Sequence, residues 1–211
     1  METLGKSLVF YLKYINEMEA FYENEDYTAL EGISNQEEII EKINAVAEKA
    51  YEQVTAFLLK CIERSKDTFA PHSDVYKYEE AFKRTAKVTN NWYAGLFIYP
   101  KRKQNPKKLQ AGFSLAGSSL RTYLWVPGGA SKQKLLTSLL SEHVVEDTPV
   151  TFHKGSVIIG NFDILELAAD RPDIETDILT KMAIEPLEAL TKDELESIFK
   201  IIIPITARKS K

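Results

Sequence analysis

An α+β fold, helices first and an antiparallel sheet after, follows from a change of hydrophobic period near residue 90. Before that point apolar residues recur every three or four positions. From Asn91 to Val126 they alternate with polar or small residues at period two, the signature of strands. A second observation marks the same stretch: between Ala81 and Ser141 there is no Asp or Glu, against eleven Lys and Arg.

The helical part opens with Leu4, Leu8, Tyr11, Ile15, Met18 and Tyr22, which line one face of a helix over about Thr3 to Glu23. Ser34-x-x-Glu37 is a capping-box pattern. A long helix follows, because Ile39, Ile43, Val46, Ala50, Val54, Phe57 and Cys61 step by four and three without interruption. A helical hairpin is expected, and a shorter helix over about Val75 to Lys87 is expected to lead out of it.

The strand signals begin at Asn91. Trp92, Ala94, Leu96 and Ile98 alternate with Tyr93, Gly95, Phe97 and Tyr99, so this strand is apolar on both faces. Leu109, Ala111, Phe113 and Leu115 form the next, and after the Ala116-Gly117-Ser118-Ser119 turn come Leu120, Thr122, Leu124 and Val126 against Arg121, Tyr123 and Trp125. Short connections make these an antiparallel meander. Ser131 caps a helix with Leu135, Leu136, Leu139 and Leu140, and Val150–Phe152 and Ser156–Phe162 supply further strands, about five in all. Helices near Ile174–Ile184, interrupted at Pro186, and after the second capping box Thr191-x-x-Glu194 complete the chain. The domain reading is a helical region over residues 1–88 and an α+β region over 89–211, packed as one compact unit.

Composition bounds the function. With 211 residues and 44% apolar residues the chain buries a sizeable core. A single cysteine, Cys61, excludes an internal disulfide and fits a reducing, cytoplasmic setting. The apolar patch Leu8 to Leu12 is too short for a signal-peptide core, and no run reaches the length of a membrane span. No membrane association is expected.

Motifs for chemistry are sparse. Gly5-Lys6-Ser7 lacks the upstream glycine and strand of a phosphate-binding loop. His72, His143, His153 and Cys61 have no metal-ligand spacing, and Asp163 with Glu166 reads as the start of a helix, so no metal and no cofactor are expected. A metal-independent nuclease built on His143 and His153, with Lys154, Tyr123 or Arg121, is the third-ranked reading.

The charge pattern is more informative. The first 80 residues hold 17 acidic and 8 basic side chains and the last 70 hold 14 and 8, so the overall −4 conceals +11 in the middle. Lys101, Arg102, Lys103, Lys107 and Lys108 fall in one loop, and Arg121 shares a strand face with Tyr123 and Trp125, near Tyr99. Rings beside cations are the means of holding single-stranded nucleic acid, bases stacking while Lys and Arg follow phosphates. The first expectation is therefore a non-enzymatic protein that contacts nucleic acid or another polyanion through Lys101, Arg102, Lys103, Lys107, Lys108, Arg121, Tyr99, Tyr123 and Trp125. The alternative is a structural or regulatory protein that binds an acidic partner, or that forms a homodimer through the helix 36–65. The same basic surface, set against the acidic flanks, is also read as plain charge complementation within the chain.

Overall fold

The computed structural model describes residues 5–69, 76–84, 91–100, 109–125, 129–141, 151–153, 156–171 and 175–202. The fold is α+β, an antiparallel sheet with a long helix laid across it. Helix α1 (Lys6–Lys13) breaks at Tyr14, resumes as α2 (Ile15–Met18) and widens into a π-helical turn at Glu19–Glu23. Helix α3 (Gln36–Phe69) runs back antiparallel to it as the second arm of the expected hairpin. Its stripe of Ala47, Ala50, Tyr51, Val54, Phe57, Leu58, Cys61 and Ile62 is buried within this chain, while Ile39, Ile43 and Val46 nearer its start are half-buried, so most of the apolar face expected to pair with a second copy is used inside the chain.

Residues 76–84 correct the expected helix over Val75–Lys87. They form strand β1 (Tyr76–Arg84), paired along its whole length with β2 (Asn91–Pro100). Lys, Glu and Ala in this stretch favour helix in isolation. The period-two placing of Tyr76, Tyr78 and Phe82, and the pairing offered by the edge of an apolar β2, override that preference. The region before residue 88 is therefore not wholly helical, and among the described residues the sheet has six strands, close to the five or so expected.

The remaining elements are β3 (Leu109–Ala116), β4 (Ser119–Trp125), α4 (Gly129–Leu139), β5 (Thr151–His153), β6 (Ser156–Asp163), α5 (Ile164–Asp170), α6 (Thr176–Glu188) and α7 (Lys192–Ile202). The strand order is β1-β2-β3-β4-β6-β5, antiparallel throughout. A two-residue turn joins β3 to β4, with Gly117 at φ +58°, a conformation other L residues adopt at a cost. Asp163 caps α5 by accepting from Leu165 N (2.8 Å) and Glu166 N (3.2 Å). The capping box at Thr191 forms as expected, Glu194 Oε2 accepting from Thr191 N at 2.7 Å and Thr191 Oγ1 accepting from Glu194 N at 3.2 Å. At the other predicted box, Asn35 rather than Ser34 precedes the helix, and it takes φ +68°.

One face of the sheet builds the core. Trp92, Ala94, Leu96 and Ile98 of β2, Leu109 to Leu115 at odd positions of β3, Leu120 and Leu124 of β4, and Val157 and Ile159 of β6 join residues of α1, α3, α4, α6 and α7 in one cluster. Tyr11, Tyr51 and Trp92 pack edge to face, with centroids 5.1–5.9 Å apart, and lock the N-terminal helices to β2. At Gly160 an added Cβ would stand 2.6 Å from Pro186 Cγ, so the glycine lets α6 seat directly on β6. Helix α6 continues through Pro186 to Glu188 instead of stopping there. Buried Thr122 donates to Ala183 O (2.5 Å) across the same contact.

Candidate functional site: the open sheet face

The alternate positions of the strands face away from every described helix. Pairing registers them in rows: Glu79, Phe97, Gln110 and Trp125; then Ala81, Gly95, Gly112, Tyr123 and Ile158; then Lys83, Tyr93, Ser114, Arg121 and Asn161. Tyr99 extends β2 one row further, opposite Lys77 of β1. Neighbouring strands lie about 4.8 Å apart, and same-face residues along one strand about 7 Å apart, so the rings form a two-dimensional array.

The centre of this face is closed packing. Tyr123 is 7% exposed and Ile158 5%, although neither belongs to the core cluster. Gly112 makes room for the Tyr123 phenol, since an added Cβ would lie 2.9 Å from its hydroxyl oxygen and 2.5 Å from Ala94 O. Gln110 Nε2 donates to that hydroxyl at 2.7 Å. Burial raises the Tyr123 phenol well above its ordinary range, so it stays neutral.

The margins are open. Trp125, at the end of β4, is 39% exposed, and Tyr93, Phe97, Tyr99 and Arg121 are half-buried. Tyr99 donates its hydroxyl to Glu79 Oε1, and that bond to a carboxylate raises the phenol's pKa. Of the residues the sequence proposed, Tyr99, Arg121, Tyr123 and Trp125 thus share one face, but Tyr123 is packed into it. Lys101, Arg102, Lys103, Lys107 and Lys108 lie outside the described residues. Their loop joins Pro100 to Leu109, the strand ends beside Tyr99, Gln110 and Trp125. No family model, curated protein or solved structure matches this chain.

Sequence reasoning missed Glu79, which it placed in a helix, and Asn161, whose face depends on a bulge at Ile159. The polar positions Gln110 and Ser114 were visible in the alternation of β3.

Other candidates carry less. Cys61 is buried between α3 and α6, and desolvation pushes its thiol up to about 12, far from a reactive thiolate. The side chain of Gln53 accepts from Leu8 N (3.2 Å) at the start of α1, occupying the turn that Gly5-Lys6-Ser7 opens. Asp163 is held by capping and by Ser118 Oγ (2.7 Å). Among the described residues no three His, Cys, Asp or Glu converge, and no helix is long and apolar enough to cross a membrane. His143 and Lys154 fall outside the described residues, and the backbone of His153 lies on β5 opposite Ser156. A groove of about 500 Å³ beside α3 is lined by Tyr22, Glu48, Tyr51, Glu52, Thr55, Ala56 and Leu59, with carboxylates that repel phosphate.

Proposed function

We propose that the open sheet face and the 101–108 loop form a non-enzymatic binding surface for single-stranded nucleic acid. One observation carries this reading: among the described residues the helices cover a single face of the sheet, and the other presents Tyr93, Phe97, Tyr99, Arg121 and Trp125 next to the strand ends from which residues 101–108 run. Trp125 and Phe97 are the best stacking positions, being on one row with Gln110 between them. Tyr123 is their support rather than a platform. The Glu79 carboxylate beside Tyr99 disfavours a phosphate there, which directs the backbone path towards Arg121 and the loop.

Anisotropy of a labelled oligo-U or oligo-dT 20-mer tests the reading. Binding should weaken steeply between about 50 and 200 mM salt. Replacing Lys101, Arg102 and Lys103 together by Ala should reduce the slope of log K against log salt by about 2, since each phosphate contact contributes about 0.7. Trp125→Ala should cost about 1–3 kcal/mol of binding, the contribution of one stacked base. No binding at low salt, or binding that ignores both changes, rejects the reading.

A further inference from the structure

The two ends of the sheet are built differently. At one end β5 has three residues, too few to template another strand. At the other, β1 is nine residues long, carries no Pro or Gly and pairs with β2 in unbroken register. Among the described residues no strand pairs with its outer edge. Proteins ordinarily blunt such an edge with short length, Pro, a bulge or charged side chains; β1 has only the last, Lys77, Glu79, Glu80, Lys83 and Arg84, and because these are of both signs they select a partner of matching pattern rather than repel every strand.

We infer that β1 pairs antiparallel with β1 of a second copy, about a two-fold axis at Ala81, so that the two sheets become one. This is independent of what the open face binds. The argument is the self-complementarity of the segment YKYEEAFKR. If both helix layers stay on one side, directly opposed residues share a face of the pleat, and the axis must pass through a residue position. An axis at Glu80 sets Glu80 against itself and Lys77 against Lys83. An axis at Glu79 opposes that carboxylate with its own copy. At Ala81 the conflict disappears: Glu79 stands opposite Lys83 and Tyr78 opposite Arg84, each twice by symmetry, with the small alanine on the axis. Moving on to Phe82 matches Glu80 with Arg84 but shortens the overlap from residues 78–84 to residues 80–84 and loses the Glu79–Lys83 match. The partner the edge fits is therefore this chain itself.

A short edge-to-edge contact is of the transient class, so a dissociation constant in the micromolar range, about 1–100 µM, is expected from sedimentation of the full chain. Opposed Cα atoms in such a pair are about 4.5–5.5 Å apart, within disulfide reach, so Ala81→Cys should give a covalent dimer on mild oxidation. Cys61 is buried and does not compete, and Ala45→Cys, on an exposed turn of α3, should not cross-link. Glu79→Lys and Lys83→Glu should each weaken the dimer at least about tenfold, and the double exchange should restore it to within about threefold. Circular dichroism of each variant separates lost pairing from lost folding. A chain monomeric at about 500 µM overturns the inference. So does a dimer that fails to cross-link at Ala81 or is not rescued by the double exchange, since it then uses another surface, and so does a β1 edge that pairs only with an extended peptide of another protein.

Discussion

Phe113 and Trp125 sit on adjacent strands of one sheet, yet one is wholly buried and the other 39% exposed. Phe113 faces the helices and belongs to the common cluster, while Trp125 faces away from it. The difference shows that aromatic content does not define the role of this sheet. Side of the pleat does. The helix-covered side is held by burial and by close backbone approach. The open side is closed at its centre, where Tyr123 and Gln110 pack over the Gly95–Gly112 pair and Ile158 is buried in register with Tyr123.

Phe113→Ala gives the sharpest contrast. It removes a fully buried ring and should cost about 3–5 kcal/mol in urea unfolding, with the midpoint falling and the slope retained. Next in size is Gly112→Ala, which tests whether the open side has packing of its own. The new methyl meets Ala94 O at 2.5 Å, a backbone atom that cannot swing aside, so a loss of about 1–3 kcal/mol is expected. An unchanged midpoint would mean that the Tyr123 layer is loose. Tyr123→Phe removes only the hydroxyl that Gln110 reaches and should cost about 0.5–1.5 kcal/mol by the same measurement. Trp125→Ala should leave stability within about 0.5 kcal/mol. A large loss there would place Trp125 in a packed site and erase the contrast.

The smallest effect lies on the helix side. Lys60 Nζ meets Asp177 Oδ1 at 2.6 Å and ties α3 to α6, and this hydrogen bond lowers the Asp177 pKa. A depressed folded-state pKa adds stability that is present above the unfolded value near 3.8 and is lost as pH falls through the folded one. Asp177→Asn should therefore flatten slightly the decline of thermal stability below about pH 4, measured against the parent chain.

Much of this division was legible in the residues. Alternation in Asn91–Tyr99 and Leu109–Leu115 placed each side chain on its correct side, and Thr191-x-x-Glu194 placed a helix start, because both patterns are local. Strand β1 was not legible in the same way. Glu79, Glu80 and Ala81 have helical preference, and only the long-range pairing with β2 decides against it. The packed state of Tyr123 also escaped the sequence, since it depends on Gly112 one strand away leaving space for the ring. The cationic loop, read from composition alone, remains a matter of charge and of the two strand ends that anchor it.

The bulge of β6 carries a further consequence. Leu124 pairs with Val157 and Tyr123 with Ile158, but Thr122 pairs with Gly160, leaving Ile159 as the supernumerary residue. Val157 and Ile159 therefore reach the core from odd positions, whereas Gly160 faces Thr122 and Pro186 from an even one. Ile159 thus works as a phase shifter in the strand. Were it deleted, Ile158 and Gly160 would become neighbours in a regular ladder, each still on its present side of the sheet, and what would be lost is the buried side chain of Ile159 itself. The distinction between a covered and an open face therefore survives one spare residue in β6, and deletion of Ile159 should cost about what the loss of its buried side chain costs, about 2–5 kcal/mol in urea unfolding, with the open face retained.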